Sequence, residues 1–364
     1  MKIGILTYHY GYNYGGVLQC YALQQSLCKL GYDDVHVINC IPSKLKFYLG
    51  GLPRRREVRV IYDWYIRLRY GKNCKSAFDL FRSKWLNQTI NISRAQLPYY
   101  VKDYDALIVG SDQIWNYREQ SDGMFFLNWE PQFTGLKIAY APCCGYNEIN
   151  DAFRSEIIKA LRGFSSLSVR NGETASFVEN LLGVRPQIVP DPTCLYDFSD
   201  LNNTKRLVKE NYVFVYILGN EISGGNSGAI GAIKRKFVGS KVIASVIAYS
   251  NPQQCQWADE IKYDLSPEDW INMIKYADFV FTDSFHGTIF SMRYNVPFLT
   301  FCSEERRKSR FIELIKQFGI EKNIVHSVEE IESYSVTLQN FDDKFKAISH
   351  IGENYLMDAL NICK

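Results

Sequence analysis

Short apolar runs alternate with stretches of helical spacing along the whole chain. Lys2 to Tyr8 reads as a buried strand. The glycine-rich Tyr10-Gly-Tyr-Asn-Tyr-Gly-Gly16 follows as a loop, and a helix is predicted from about Val17 to Leu30. Its apolar positions Val17, Cys20, Leu23, Leu27 and Leu30 share one face, and Gly31 ends it. Val35 to Ile38 is the next strand, so the chain opens as strand, helix, strand. Such an opening predicts a parallel sheet covered by helices. Further strands are predicted for the run from Tyr104 to Gly110, for Lys137 to Ala141, for Leu167 to Arg170 and for Pro186 to Pro190. Helices are predicted over Asp151 to Phe164 and Gly172 to Leu182. The turn-rich stretch Asp191 to Thr204 reads as a linker. A second alternating set follows, with strands at Tyr212 to Leu218, Lys241 to Ala248, Phe279 to Thr282 and Pro297 to Phe301. Its helices lie around Ala229 to Phe237, Pro267 to Tyr276 and Arg310 to Phe318. Ser266-Pro-Glu-Asp269 marks a helix start, with a serine cap, a proline in the first turn and acids near the positive end. After Phe341 the spacing is again helical, and this tail is expected to pack across the fold. The predicted fold is α/β, with two Rossmann-like domains facing a cleft. Their bounds are 1–197 and 205–340, with a closing helix in 341–364. Ligands in such sheets bind outside the carboxyl ends of the strands.

Composition adds limits. A chain of 364 residues suits two domains. With 46% apolar and 22% charged residues it can bury sizeable cores and is not disordered. A net charge of +3 gives no sign of nucleic-acid binding. No apolar run reaches the length of a membrane span. The ten cysteines lack zinc spacing, so no metal is expected. Met1 to Thr7 is too short for a secretory leader. Reduced thiols in a cytoplasmic protein are the expectation. The segment 44–75 stands apart, for it carries ten Lys and Arg residues against Glu57 and Asp63, interleaved with Tyr62, Trp64, Tyr65 and Tyr70. It reads either as a solvated helical insertion or as a surface for anionic headgroups or a lipid pyrophosphate at the inner face of the membrane.

Four strand ends carry candidate chemistry. The run from Ala277 to Thr288 is a buried strand emptying into a helix start at Ser284, His286, Gly287 and Thr288. A histidine there can exchange protons near neutral pH, and the helix amides favour an anion. Asn13, Gly15 and Gly16 offer close backbone approach to a substrate, although the loop matches neither a P-loop nor a dinucleotide fingerprint. Ser111, Asp112, Gln113 and Trp115 follow a strand end, where Asp112 can bind a sugar hydroxyl or accept its proton. Arg170 suits bidentate recognition of carboxylate or phosphate, and Arg310, beside an apolar helix face, is a second such cation. Each position also has a plain structural reading: a cap for His286 or Asp112, turn geometry for the glycines, a surface ion pair for Arg170.

Taken together these residues resemble the polysaccharide pyruvyl transferase family. The resemblance rests on Asn13-Tyr-Gly-Gly16, Val109-Gly-Ser-Asp-Gln-Ile-Trp115, Ser168-Val-Arg170, Val189-Pro-Asp-Pro-Thr193 and Phe281-Thr-Asp-Ser-Phe-His-Gly287, in that order. It implies a two-domain GT-B enzyme that transfers pyruvate from phosphoenolpyruvate onto a sugar as a ketal, with phosphoenolpyruvate as co-substrate and no other cofactor. The acceptor implied is a saccharide of capsule or exopolysaccharide biosynthesis, free or lipid-linked. His286 and Asp112 would be catalytic. Arg170, Arg310, Ser284, Gly287 and Thr288 would face the donor, and Asn13, Gly15, Gly16, Ser111, Gln113 and Trp115 the acceptor. Family members commonly carry Arg where Ser284 stands, and Leu where Phe285 stands. Either Arg170, Arg293 or Arg310 takes over that arginine's task, or the donor differs. A GT-B glycosyltransferase using a nucleotide sugar and a non-catalytic glycan-binding protein are the competing readings.

Overall fold

A computed structural model describes residues 1–41, 65, 74–116, 123–145, 151–201, 205–219, 221–246, 255–302 and 305–361, without the side chains of 151–152 and 305–310. Of the basic stretch 44–75, only 65, 74 and 75 are among them, so its membrane reading lies outside the described residues.

The first lobe holds β1 (Lys2–Leu6), α1 (Tyr14–Lys29), β2 (Asp34–Val37), α2 (74–85), β3 (Ala106–Val109), β4 (Leu136–Ala139), α3 (Asp151–Arg162), β5 (Ser166–Val169), α4 (Gly172–Leu182) and β6 (Gln187–Ile188). Its six strands form one parallel sheet in the order β2-β1-β3-β4-β5-β6. The second lobe holds β7 (Tyr212–Tyr216), α5 (Asn226–Lys236), β8 (Lys241–Ser245), β9 (Glu260–Lys262), α6 (Pro267–Lys275), β10 (Phe279–Thr282), α7 (Phe285–Arg293), β11 (Phe298–Thr300) and α8 (Glu305–Phe318). Its sheet is also parallel, in the order β11-β10-β7-β8-β9. The central strands are apolar throughout because both faces are covered; every residue of β3 and β7 is buried.

The helix start at Ser266 follows the predicted chemistry, and two others carry asparagine caps. Ser266 closes a capping box with Asp269 at α6. Asn171 caps α4 and accepts from the Thr174 amide. Asn13 does the same for α1, accepting from Gly16 N at 3.2 Å. Gly15 and Gly16 therefore belong to the first helical turn. The loop predicted to run to Gly16 ends earlier because Asn13 supplies the cap.

The lobes are joined through packed side chains. One hydrophobic cluster runs from Ile3, Ile5 and Leu18 to Phe214, Trp270 and Phe290. Tyr14 stacks on Trp270 with ring centroids 5.1 Å apart and donates to Leu265 O at 3.2 Å. A last helix, α9 (Asp342–Asn361), reaches both lobes: Tyr355 Oη donates to Ala139 O at 2.9 Å, and Phe345 packs on Phe318. An apolar contact of this kind holds the two lobes in one geometry.

Candidate active site

Five strand ends converge where the lobes meet. From the first lobe come Gly15 after β1, Ser111 and Asp112 after β3, Arg170 after β5 and Asp191 after β6; from the second comes His286 after β10. Asp191 is the hub and is 2% exposed. Its Oδ2 accepts from Arg170 Nη1 at 2.7 Å and from Ser111 Oγ at 3.1 Å. Its Oδ1 accepts from Thr193 N at 3.0 Å and Thr193 Oγ1 at 2.8 Å. His286 Nε2 lies 3.6 Å from the same Oδ1, an ion-pair distance beyond hydrogen-bond length. Burial pushes the Asp191 carboxyl up, but His286, Arg170 and the Thr193 amide outweigh it and hold the group well below the usual carboxylate range. Asp191 is thus a fixed negative charge shared by a guanidinium and an imidazole.

The other side of the imidazole is closed by Gly15. A Cβ there would sit 2.0 Å from His286 Nδ1 and 2.3 Å from Cγ. Glycine at this position lets α1 of one lobe touch the ring carried by α7 of the other. Gly287 has a related task, since a Cβ on it would fall 2.7 Å from Thr282 Oγ1.

Arg170 is 2% exposed and fully engaged on its Nη side. Besides Asp191 it reaches Asp112 Oδ1 at 3.3 Å and Cys143 Sγ at 3.2 Å through Nη2, and it lies over the Phe285 ring at 4.9 Å. Burial opposes its charge; Cys143, Asp191 and Asp112 more than offset that. One guanidinium faces two carboxylates, so the cluster carries a formal negative charge before the imidazole is counted. Asp112 is held there with φ 76°, a left-handed conformation uncommon outside glycine and typical of functional turns. Gly110, two residues before it, has φ 124°, and a Cβ there would strike Tyr140 O at 1.8 Å.

The remaining candidates divide. Gln113 is half-buried beside Gly145. Asn13 is exposed at the α1 cap. A Cβ on Gly16 would meet nothing closer than 3.7 Å, so its lack of a side chain is not required by packing. Four candidates sit deeper than a ligand contact would suggest. Trp115 is completely buried, stacked on Phe126 and donating from Nε1 to Phe125 O at 3.0 Å, so it presents no surface to an acceptor. Ser111 is also fully buried and serves the network rather than a ligand. Ser284 spends its hydroxyl capping α7, accepting from Gly287 N at 3.2 Å. Thr288 is buried and bonded to Ser284 O and Thr300 Oγ1, both at 3.0 Å. Arg310 lies on α8, and its side chain is outside the described residues. Arg293 donates to Thr193 O at 2.8 Å and covers the Phe345 ring at 4.1 Å, pinning the Asp191 turn to α7. Among the described residues, no group of three or more His, Cys, Asp or Glu side chains is placed to hold a metal.

Two site residues are missing from the candidates that the sequence suggests. Asp191 opens the stretch that reads as a linker, and its Pro-flanked position looks like a turn. Gln19, fully buried on α1, ties the site's backbone together. It donates to Thr7 Oγ1 at 2.8 Å and Gly16 O at 3.0 Å and accepts from Ser111 N at 3.0 Å. Its signal is a polar residue on an otherwise apolar helix face.

The family model for polysaccharide pyruvyl transferase matches residues 13–303, a span that holds every member of this cluster. The chain belongs to the polysaccharide pyruvyl transferase family. This pyruvyl transferase family member is accordingly a transferase, and it has the GT-B architecture of two facing parallel sheets. Solved structures share that fold at low identity. The UDP-GlcNAc 2-epimerase of Neisseria meningitidis is 9% identical with a TM-score of 0.51, covering 99% of both chains. The UDP-GlcNAc 2-epimerase of Methanocaldococcus jannaschii is 12% identical with a TM-score of 0.51, covering 99% of this chain and 100% of that one. HepE of Anabaena, solved with UDP and glucose, is 10% identical with a TM-score of 0.50, covering 99% and 95%. At such identity the likeness is one of fold alone. No curated protein matches the sequence. Among the described residues, no helix of this family member is long and apolar enough to cross a membrane.

Proposed function

We propose that the protein moves pyruvate from phosphoenolpyruvate onto two hydroxyls of one sugar in a capsule or other cell-surface polysaccharide, or in its lipid-linked precursor. The product is a ketal, and phosphate leaves. The observation that carries this reading is the seat of His286, wedged between Gly15 of the opposite lobe and the buried Asp191 carboxylate. Family membership supports the reaction class.

The chemistry requires one proton on the donor's methylene carbon and positive character on its neighbour. His286, seated beside Asp191, gives that proton. A sugar hydroxyl attacks the adjacent carbon and surrenders its proton to Asp112. The carbon–oxygen bond to phosphate breaks, the second hydroxyl closes the ketal, and its proton leaves with phosphate. One hydroxyl proton thus replaces the one spent on the methylene carbon, and the other departs on the product. Arg170 anchors Asp191 at 2.7 Å but holds Asp112 only at 3.3 Å. In the proposal the donor carboxylate takes the place of Asp112 on Nη2, as a bidentate-capable guanidinium favours, and frees Asp112 for the acceptor. A doubly anionic donor facing a negative cluster needs further positive charge. Arg310 is the sequence candidate for it. Contact of 44–75 with a membrane is proposed on composition alone.

The fold likeness to UDP-binding proteins is architectural and lends no weight to a nucleotide-sugar donor. The deciding assay incubates the full chain with phosphoenolpyruvate and a panel of lipid-linked saccharides and reads phosphate and product mass. A product heavier by one pyruvate ketal with equimolar phosphate supports the proposal. Silence there, with glycosyl transfer from UDP-, GDP- or CMP-sugars, overturns it.

A further inference from the structure

A cavity of about 350 Å³ opens in the first lobe, beside the carboxyl ends of β1 and β2. That volume lies at the lower end of small-molecule sites, which suits one or two sugar rings. Its walls include His9, Tyr12, Asn39, Asp79, Arg82 and Gln88, none of which belongs to the Asp191–His286 cluster.

Two buried polar atoms in this wall stand without hydrogen-bond partners among the described residues: His9 Nε2 and Gln88 Nε2. Buried polar groups are nearly always paired, so two orphans at one cavity ask for a ligand. His9 is 1% exposed, and its Nδ1 is 3.0 Å from Thr7 O. Asn39 stands near the ring but outside standard hydrogen-bond geometry to Nε2. Burial lowers the imidazole to about 4, so the His9 ring itself is uncharged at neutral pH. The nearby charges are occupied with each other. Arg82 donates to Asp79 Oδ1 at 2.6 Å and to Gly11 O at 2.9 Å, and Lys75 also pairs with Asp79. Neutral hydrogen-bonding groups beside tyrosine rings match a polyhydroxylated ring better than a phosphate. The wall is built from the β1–α1 loop, which three residues past Tyr12 becomes Gly15, the residue under His286.

We infer that this cavity holds a neutral saccharide unit of the acceptor through His9, Asn39 and Gln88. The inference rests on the proposed function in taking the acceptor to be a sugar. Gln88 is the residue to change, because its side-chain nitrogen has no hydrogen-bond partner to lose among the described residues. The full chain and Gln88→Leu would be titrated with methyl β-galactoside, β-glucoside, β-mannoside and N-acetyl-β-glucosaminide by saturation-transfer NMR. Inorganic pyrophosphate serves as the anionic comparison, and melting temperature as the fold check. At least one glycoside should bind the native chain, resist displacement by pyrophosphate, and bind Gln88→Leu about tenfold more weakly at an unchanged melting temperature. Absence of glycoside binding, equal binding to both proteins, or displacement by pyrophosphate overturns the inference. Phosphate release from phosphoenolpyruvate is read separately. Saccharide binding without that release refutes the donor reading alone, and release with an empty cavity refutes this inference alone.

Discussion

Gly15→Ala tests the seating of the imidazole. The added Cβ would lie 2.0 Å from His286 Nδ1, 2.3 Å from Cγ and 2.7 Å from Cε1. Ordinary contacts begin near 3.5 Å, so the ring must retreat by about 1.5 Å. Asp191 lies on its far side at 3.6 Å, so the retreat drives the ring into Asp191 or pushes α7 away from α1. Overpacking costs about 1–3 kcal/mol, while alanine in place of glycine within a helix returns about 1 kcal/mol. The net loss is about 0–2 kcal/mol, a drop of at most several degrees in Tm. Catalysis suffers more, because misplacing a reacting group by about 1 Å costs roughly 100-fold. Gly231→Ala, where the nearest atom to a built Cβ is Arg235 Nη1 at 3.6 Å, measures the helix gain without the clash. The assay is phosphate release from phosphoenolpyruvate and acceptor, alongside calorimetric Tm. A Gly15→Ala enzyme that turns over at the native rate would show that the ring's seat is irrelevant to the chemistry.

Three further outcomes are expected. Asp191→Asn leaves Arg170 without its close buried partner and should destabilise by about 3–5 kcal/mol while reducing phosphate release at least tenfold, read by urea unfolding and steady-state rates. Because Asp191 is held low in the fold, its contribution is complete above about pH 4 and fades as pH falls below that, so acid unfolding of the variant should be shallower there. His9, held at about 4 against an unfolded 6.5, remains neutral while the unfolded chain takes up a proton. Stability should therefore be full above pH 6.5 and decline by about 3 kcal/mol toward pH 4, and His9→Gln should flatten that slope in a melting-temperature series. Trp115→Phe should lower stability by about 1–3 kcal/mol through loss of the bond to Phe125 O and leave the acceptor KM unchanged. A raised KM at unchanged Tm would return Trp115 to the ligand.

Much of the architecture was legible because parallel strands buried on both faces are written as unbroken apolar runs. Val280 and Phe281 of β10 or Val213 to Val215 of β7 could hardly be anything else. His286, Arg170 and Asp112 were found at strand ends, and the structure brings them to one place. What escaped was the pairing between distant segments. Nothing local in Pro190-Asp-Pro192 says that its carboxylate meets an arginine 21 positions upstream and a histidine in the other lobe. The burial of Trp115 is hidden in the sequence for a related reason. Polar neighbours marked it as cleft-facing, yet Phe125 and Phe126, remote in the strand pattern, enclose it. Short β9 was not anticipated, since Glu260-Ile-Lys262 carries only one apolar residue and is half-buried at a sheet edge. The strand end at Ser284 suggests a ligand contact, although its spacing to Gly287 is that of a helix cap.

The central claim is that His286 supplies the proton that opens the donor. Its most direct test is phosphate release by His286→Ala from phosphoenolpyruvate with an acceptor that the native enzyme converts, with Tm measured on the same samples. The account predicts a folded protein whose turnover is lost by a factor of about 100 or more. Near-native turnover in that variant would contradict it.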